Sequence, residues 1–536
     1  MAGEETIEER LKREPKWMEL PFVMRLLRHG PALLLCLFIF ALYGLFLSHP
    51  IDLTTADLGR HIKNGEVLFQ DSGVLRRNFY SYTEPDFPVI NHHWGSGLLL
   101  YAAHEGFGFT GVHLLFILLS FAALCVFLKT ARLYAPWGIV GFAALPATFL
   151  LAERTEIRPE VFSYLFAGFF FYILCHSSLH WNDRPRGRTL WLLPFIEILW
   201  VNTHIYFLLG PLIIGAFLLE ALLKRRREIL ELLGVCGATL LATLVNPFGY
   251  KALTGALTLF ENFGYRLAEN QSLFFLKRLG MSDPNFLIFQ FTIAAAAVLI
   301  VSVLYTRWRA VRWADTFVFA GISLLAVLAV RNFALFGLFA IPFIAGNARL
   351  LLAEKKVGGW LTQAALFGSA AVFLATVLSG FPRYFPYWRS FGYGLQSGNS
   401  AAAEFLRANG ISGPYFNNYD IGGYLIFHLF PKEKVFVDNR PEAYSTDFFR
   451  KTYVPMQEDD GVWKQELQRH NFNAIVFSHR DATPWGQKFL VARLADPEWA
   501  PVYVDERVLV LLRRAEVNTP LIEKFLLPPE TFRISR

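Results

Sequence analysis

The chain is poor in charged residues and in cysteine, and both shortages limit what it can be. Only 18% of its 536 residues are charged, whereas a soluble protein of this size has about a quarter. Its four cysteines lie within apolar segments, which excludes a disulfide framework and favours core packing: Cys36, Cys125, Cys175 and Cys236. The remaining composition is 54% hydrophobic with 53 Phe and 13 Trp, which is typical of a membrane protein.

Several signatures of well-known enzymes are also missing. The sequence contains no phosphate-binding glycine loop, no HExxH, no CxxC and no GxSxG, and it shows no internal repeat. The formal charge of +7 comes from Lys and Arg in short loops between apolar runs. These cations are interpreted as determinants of membrane topology, and no nucleic-acid partner is expected.

Eleven apolar runs are candidates for membrane-spanning helices, which need roughly 20 apolar residues each. They cover 31–48, 112–130, 138–152, 160–177, 190–201, 205–222, 229–246, 287–305, 315–330, 333–350 and 360–380. The runs 190–201 and 205–222 predict either a re-entrant hairpin with its tip at Asn202-Thr203-His204 or two helices with a tight outer turn. The run 95–105 is too short to span and is expected to lie along the outer interface.

Every second loop is basic, which predicts the sidedness of the chain. The inner loops would hold Lys129 and Arg132; Arg184, Arg186 and Arg188; Lys224 to Arg227; Arg307, Arg309 and Arg312; and Arg349, Lys355 and Lys356. The expected N-terminus is cytoplasmic, with an amphipathic segment at 1–30 and no cleavable signal peptide. A transmembrane domain at 31–380 would carry a structured first outer loop at 49–111.

The last region, 381–536, changes character and is expected on the outer side as a separate domain. Short β-like runs at 413–417, 434–438, 474–478, 502–505 and 508–513 alternate with helical stretches. This alternation predicts a small α/β domain with a partly parallel sheet. Asp438-Asn439-Arg440 follows the run 434–438, where it would either contact a ligand or cap the end of a strand.

Polar residues collect at the outer ends of the apolar runs, at one mouth of the membrane domain. Asp57, Arg60 and His61 have the spacing i, i+3 and i+4, which places them on one face of a helix. A carboxylate beside a cation stays ionised and can accept a proton from a hydroxyl. The alternative is an ordinary intrahelical salt bridge.

The other candidates share this outer location. The short loop Glu153 to Arg158 has four charges, and Arg is suited to clamp a phosphate. Arg331, between two apolar runs, is a functional candidate by default. The alternative for the loop, which also contains Arg154 and Glu156, is an ion-paired turn at the membrane surface. The remaining polar residues at these ends are His92, His93, Asn202, His204, Asn246 and Asn332. For Arg331, Asn332, Asn202, His204 and Asn246, the alternative is satisfied polarity at a helix end. Adjacent His92 and His93 lack a third ligand and do not define a metal site.

These segments resemble those of bacterial GT-C-type integral-membrane glycosyltransferases. The resemblance rests on ADLGRHIKNGEVL and FYSYTEPDFPVINHHW in the first outer loop, and on RPEVFSYLF, LWVNTHIYFLLG, LVNPFGY and RNFALFGLFAIP at helix ends. It continues in YDIGGYLIF and KVFVDNRPEAY of the last region, and so covers most of the chain. Two positions differ from the family pattern, because Thr55 and His93 stand where an acidic residue is common.

The resemblance implies a polytopic α-helical membrane protein that transfers a hexosyl or pentosyl group from a polyprenyl-phosphate sugar to a glycan, lipid or protein acceptor. It implies Asp57 as the base, with His61 beside it. The expected substrate contacts are Arg60, His92, His93, Glu156, Arg158, Asn202, His204 and Arg331. The expected location is the inner membrane, with the last domain outside. No cofactor is assigned, although a divalent metal is compatible with the family. An inactive scaffold and a lipid-linked glycan transporter are the alternatives.

Overall fold

The computed structural model describes residues 21–55, 57–179, 188–257, 264–265, 267–352, 359–385 and 388–532, with only the backbone at 21–29. Residues 1–20 of the predicted amphipathic segment and the loop cations Arg184, Arg186, Lys355 and Lys356 lie outside these ranges. The chain forms two compact units. The first unit comprises Met1–Leu47, Leu124–Thr155 and Ser272–Trp388, and the second comprises Ser48–Ala123, Glu156–Gln271 and Arg389–Arg536.

Helices dominate the described residues. They are α1 Pro21–Leu47, α2 Leu58–Leu68, α3 Trp94–Arg132, α4 Trp137–Leu151, α5 Glu160–Leu179, α6 Leu193–Val201, α7 Leu209–Leu223, α8 Ile229–Ala242, α9 Tyr250–Leu257, α10 Leu273–Arg278, α11 Pro284–Arg307, α12 Trp313–Leu328, α13 Phe333–Leu351, α14 Gly359–Ser379, α15 Ala401–Ala408, α16 Gly422–Leu429, α17 Pro455–Glu458, α18 Asp460–His470, α19 Pro484–Ala495 and α20 Thr519–Phe525. All eleven predicted apolar runs are helical over most of their length. The predicted interfacial segment 95–105 joins the run 112–130 in α3, where non-helical backbone at Phe107 and Gly108 separates the two parts.

Seven helical stretches of the described residues are long and apolar enough to cross a membrane. They are Gly30–Leu47, Trp94–Arg132, Glu160–Leu179, Ile205–Leu223, Pro284–Ala310, Val330–Leu351 and Gly359–Ser379. Shorter apolar helices occur at Ile229–Ala242 and Trp313–Leu328. The polytopic helical fold class is therefore confirmed, while the number of eleven spans and the three-part domain division stay predictions.

In the first unit, α13 is the central helix. It packs against α4, α11 and α12 and is buried almost continuously from Phe333 to Asn347. Its sequence is apolar on all sides, as expected of a helix with neighbours all round. Gly337 lets it approach α4 closely, because a Cβ at that position would lie 3.1 Å from the Leu150 side chain.

The C-terminal part of the second unit is the predicted small α/β domain with a partly parallel sheet. Its strands are β1 Tyr415–Asn417, β2 Ala474–Ser478, β3 Trp499–Val504 and β4 Val508–Arg513, in the order β1-β2-β4-β3. The β1–β2 pair is parallel and the other pairs are antiparallel.

One predicted strand is wrong. The run 434–438 forms only an isolated bridge between Val435 and Ser81. The Asn417 side chain takes the place of a strand ladder there, because its Oδ1 accepts from the Phe436 amide and its Nδ2 donates to the Val437 carbonyl.

Candidate functional site

The first outer loop fixes Asp57 at the start of α2. The helix packs so closely on its neighbours that two of its positions admit only glycine. A Cβ on Gly59 would lie 2.9 Å from the Gly423 carbonyl oxygen of α16, and a Cβ on Gly65 would lie 2.3 Å from that of Gly97 in α3. The backbone that carries Asp57 is therefore held from two sides.

Asp57, Arg60 and His61 meet as their spacing predicts. Arg60 Nη2 lies 2.8 Å from Asp57 Oδ2, and His61 Nε2 lies 3.2 Å from the same oxygen. Arg60 and His61 are buried, whereas Asp57 is partly exposed. The sequence prediction of a shared helix face is confirmed as geometry.

The charge state of this trio follows from its surroundings. Burial raises the pKa of Asp57, but its interactions with His61 and with the charges of Arg158 and Arg60 outweigh burial and hold the pKa well below its usual range. Burial and the Arg60 charge lower the pKa of His61. At neutral pH, Asp57 is therefore an anion and His61 is a neutral ring that donates its Nε2–H to Asp57.

The trio also has unused hydrogen-bonding atoms. Asp57 Oδ1, Arg60 Nε and His61 Nδ1 are buried and have no partner among the described residues. Natural structures leave few such atoms unpaired, and each one calls for an explanation. A carboxylate with one oxygen held and one oxygen unpaired is suited to accept a proton from a bound hydroxyl.

Of the three remaining predicted histidines, His93 and His204 form a row of neighbouring rings that begins at His61, and His92 does not belong to it. The rings of His61 and His93 lie 5.3 Å apart, and those of His93 and His204 lie 5.1 Å apart. His204 Nδ1 is 2.7 Å from Ser163 Oγ, which also accepts from the Trp200 indole. Burial lowers the pKa of His93 well below its usual value, so it is neutral at pH 7.

His92 points elsewhere. Its ring lies 6.4 Å from the rings of Phe207 and Phe248, and burial lowers its pKa to about 4. It is therefore a neutral side chain in an aromatic environment rather than a neighbour of Asp57.

Arg158 lies between two carboxylates. Its Nε and Nη2 donate to Glu156 Oε2 at 3.0 and 2.8 Å, and its Nη1 donates to both oxygens of Glu269 at 3.1 and 3.0 Å. Glu156 Oε1 accepts from Thr55 Oγ1 at 2.8 Å. A carboxylate that is distant in sequence thus lies beside Thr55. The sequence does not predict Glu269 as a site residue, because it lies in the short 3₁₀ turn Ala268–Asn270, outside any periodic segment.

The two predicted asparagines of the second unit are engaged in structural bonds. Asn202 accepts from the Trp94 indole at 3.0 Å and donates to the carbonyls of Ile198 and Val245. Asn246 bonds within its own turn, to Thr243, Phe248 and Gly249. Both amides join segments of the unit to one another.

Arg331 and the residues beside it belong to the first unit. Arg331 lies in the 3₁₀ turn Val330–Asn332 between α12 and α13, and Asn332 donates to the Leu325 carbonyl. Glu153 accepts from Asn285 at 3.1 Å, and Arg154 is buried in the turn after α4.

Asp438 and Arg440 form a saturated ion pair within the second unit. Arg440 donates to both Asp438 oxygens at 2.7 and 2.6 Å and to Asn78 Oδ1 at 2.9 Å. Tyr444 adds a fourth bond at 3.2 Å. These bonds connect the C-terminal domain to the first outer loop. Asp52 makes a second such connection, to Arg507 at 2.8 Å, which the sequence does not predict.

No group of three or more His, Cys, Asp or Glu side chains in the described part of the chain is arranged to hold a metal ion. The Asp57 oxygen nearest to His61 is already bonded to Arg60. The described residues thus supply no ligand set, so no reaction step is assigned to a metal.

Comparison with solved structures identifies the fold. Sequence comparison finds no matching family and no matching curated protein. The oligosaccharyltransferase AglB from Archaeoglobus fulgidus, in complex with an inhibitory peptide and a dolichol-phosphate, is 12% identical, with a TM-score of 0.56 over 90% of this chain and 73% of that chain. ArnT from Cupriavidus metallidurans is 13% identical in the apo state, with a TM-score of 0.55 over 94% and 99%. The complex of ArnT with undecaprenyl phosphate is also 13% identical, with a TM-score of 0.51 over 91% of this chain and 99% of that chain. The chain therefore has the GT-C-type fold of membrane glycosyltransferases.

Proposed function

We propose that the protein is an integral-membrane glycosyltransferase that moves a hexosyl or pentosyl group from a polyprenyl-phosphate donor to an acceptor hydroxyl on the outer face of the inner membrane. The observation that carries the proposal is Asp57, an ionised carboxylate with one oxygen held by Arg60 and His61 and one that has no partner among the described residues. The GT-C-type fold supports the same reaction class, and the solved AglB and ArnT complexes with dolichol-phosphate and undecaprenyl phosphate support the donor class.

The proposed reaction is a single displacement at the anomeric carbon. The acceptor oxygen forms the new glycosidic bond while the bond from carbon to the phosphate oxygen breaks. Asp57 takes the hydroxyl proton, and the electron pair of the broken bond leaves with the polyprenyl phosphate. One displacement inverts the anomeric configuration.

The departing phosphate requires positive charge. Arg158 is the first candidate, followed by Arg331 and His204. All three Arg158 nitrogens are occupied by carboxylates, so a phosphate must replace one of them. Glu269 is the better candidate for displacement, because Glu156 binds two nitrogens of Arg158 and is itself held by Thr55.

The test is transfer by reconstituted protein from a panel of radiolabelled polyprenyl-phosphate sugars, with a cell-envelope extract as the source of acceptors. Asp57→Asn should lower the rate on the order of 10²–10⁴-fold, the usual contribution of a general base. Asp86→Asn is the matched control, since Asp86 lies in the same outer loop and its side chain is 89% exposed. Full activity in Asp57→Asn would refute the assignment.

The same assay separates the alternatives. If every donor stays intact with wild-type protein, the inactive scaffold is favoured. Movement of an intact lipid-linked glycan across the vesicle membrane would favour the transporter.

A further inference from the structure

A cavity of about 240 Å³ lies in the C-terminal domain, between the ends of α15 and α16 and the beginning of β1. Pockets for drug-sized ligands measure about 300–1,000 Å³, so a smaller molecule fits here. The wall of the cavity combines buried apolar side chains with exposed charged ones. The proposed transfer reaction uses none of these residues.

The apolar part of the wall offers few hydrogen bonds to a ligand. Leu406, Ile411 and Leu429 are buried, and Phe430 adds an aromatic ring. Tyr415 also lines the cavity, but its hydroxyl already donates to the Ile411 carbonyl at 2.6 Å. This part of the wall therefore suits a hydrocarbon chain or a ring, whose burial is favourable.

Two cations of the wall are exposed and have no partner. Arg407 and Lys432 form no ion pair and no hydrogen bond within the described ranges. Cations near the end of a helix commonly interact with its last carbonyl groups. Here backbone amides serve those carbonyls, because the Ile411 amide donates to Leu406 and the Glu433 amide donates to Leu429. The side-chain donors of both cations are therefore free to bind a ligand.

The other ionisable side chains of the wall are His428 and Glu433. Burial, followed by the charges of Arg407 and Lys63, lowers the pKa of His428 to about 4, so its ring is neutral at pH 7. The Glu433 carboxylate accepts from the Gly413 amide at 3.0 Å. Two cations and one carboxylate leave the wall with one net positive charge. This charge favours a monoanion over a neutral molecule, a cation or a dianion.

We propose that this cavity binds a small organic monocarboxylate. Its apolar body lies against Leu406, Ile411 and Leu429, and its carboxylate accepts hydrogen bonds from Arg407 and Lys432. The planar guanidinium of Arg407 matches a carboxylate with two parallel hydrogen bonds. The proposal does not depend on the proposed transfer reaction, because neither the donor nor Asp57 takes part in the binding.

The test is isothermal titration calorimetry of the purified full chain in a non-ionic detergent at pH 7, without any donor and with protein-free micelles as the blank. The probes are benzoate and hexanoate. Benzyl alcohol, benzylamine and phenyl phosphate are their neutral, cationic and dianionic counterparts. At least one carboxylate should bind, at least tenfold more tightly than each counterpart. Arg407→Gln and Lys432→Gln should each weaken its binding about tenfold, because each removes a charged hydrogen-bond donor.

Lys434→Gln is the matched control, because Lys434 is exposed in the same loop and does not line the cavity. All three variants replace exposed side chains, so their unfolding temperatures should stay close to that of the wild type. The proposal would be overturned if neither carboxylate binds, or if benzyl alcohol binds as tightly as benzoate. Unchanged affinity in both cavity variants, or an equal loss in Lys434→Gln, would also overturn it.

Discussion

Two aspartate–arginine pairs of the second unit have the same chemistry and different surroundings. In the pair Asp438–Arg440, both carboxylate oxygens are bonded, and the guanidinium also holds Asn78. In the pair Asp57–Arg60, the single oxygen Asp57 Oδ2 accepts from both Arg60 and His61. Asp57 Oδ1 and Arg60 Nε have no partner in the described structure. Asp438 is fully buried, whereas the Asp57 side chain is 21% exposed.

The difference separates a structural ion pair from a chemical one. A saturated pair in the interior has no atom left for a substrate, and removing one partner leaves a buried charge without compensation. A carboxylate with one oxygen that has no protein partner keeps lone pairs with which to accept a proton from a substrate group that reaches it. Residue type alone does not distinguish these two roles. The number of carboxylate and guanidinium atoms that have a hydrogen-bond partner in the protein does.

The largest expected effect on stability is at the saturated pair. Asp438→Asn should destabilise the protein by about 3–5 kcal/mol, because Arg440 stays buried and charged. The measurement is the unfolding temperature of the purified protein, with Asp447→Asn as the exposed control. An unfolding temperature equal to that of the wild type would show that the pair does not hold the C-terminal domain.

The next expected effect is on the pH dependence, through His61. As the pH falls below about 6.5, the unfolded chain binds a proton before the folded His61 does, so stability declines in that range. Protonated His61 would also make Asp57 a weaker base, so transfer should fall on the acid side with a midpoint below 6.5.

His61→Gln should remove this fall of the transfer rate at low pH (the acid limb), while its side-chain amide still donates a hydrogen bond to Asp57. Transfer rates from pH 5 to 8 test it, because the depressed pKa of Asp57 keeps that base ionised over the whole range. An unchanged acid limb in the variant would assign the limb to another group.

The smallest expected effect is at Arg158. Glu269→Gln weakens one of its two ion pairs, so the donor phosphate should bind more tightly, by about 1 kcal/mol or roughly fivefold in KM. Glu458→Gln, an exposed glutamate of α17, is the control. A higher KM for the donor would mean that Glu269 assists donor binding instead of competing with it.

Much of the fold is predictable from the sequence, because helices and strands are indicated by patterns of residues that are close together in the chain. Apolar runs predicted the helices, and β2 and β4 match their predicted bounds. The i, i+3, i+4 spacing correctly placed Arg60 and His61 beside Asp57. The run 434–438 was misread because a side chain, Asn417, occupies the backbone groups that a strand would use.

The sequence does not predict the hydrogen bonds and ion pairs between residues that are far apart in the chain. Nothing near Arg158 in the sequence points to Glu269, which is 111 residues away, and nothing near Asp438 points to Asn78. Asn202 looked like a substrate contact because it is polar at an apolar helix end. In the structure its amide is bonded to Trp94 and to two backbone carbonyls, bonds that only the folded chain reveals, and its role as a substrate contact stays a prediction.

The most direct test of the account compares Asp57→Asn and Asp438→Asn in one preparation, by transfer rate per folded molecule and by unfolding temperature. The account predicts that Asp57→Asn loses on the order of 10²–10⁴ in rate with the smaller change in unfolding temperature. It predicts that Asp438→Asn has the larger loss of stability and keeps transfer in the molecules that remain folded. Full transfer by Asp57→Asn, or a loss of stability in it as large as in Asp438→Asn, would contradict the distinction.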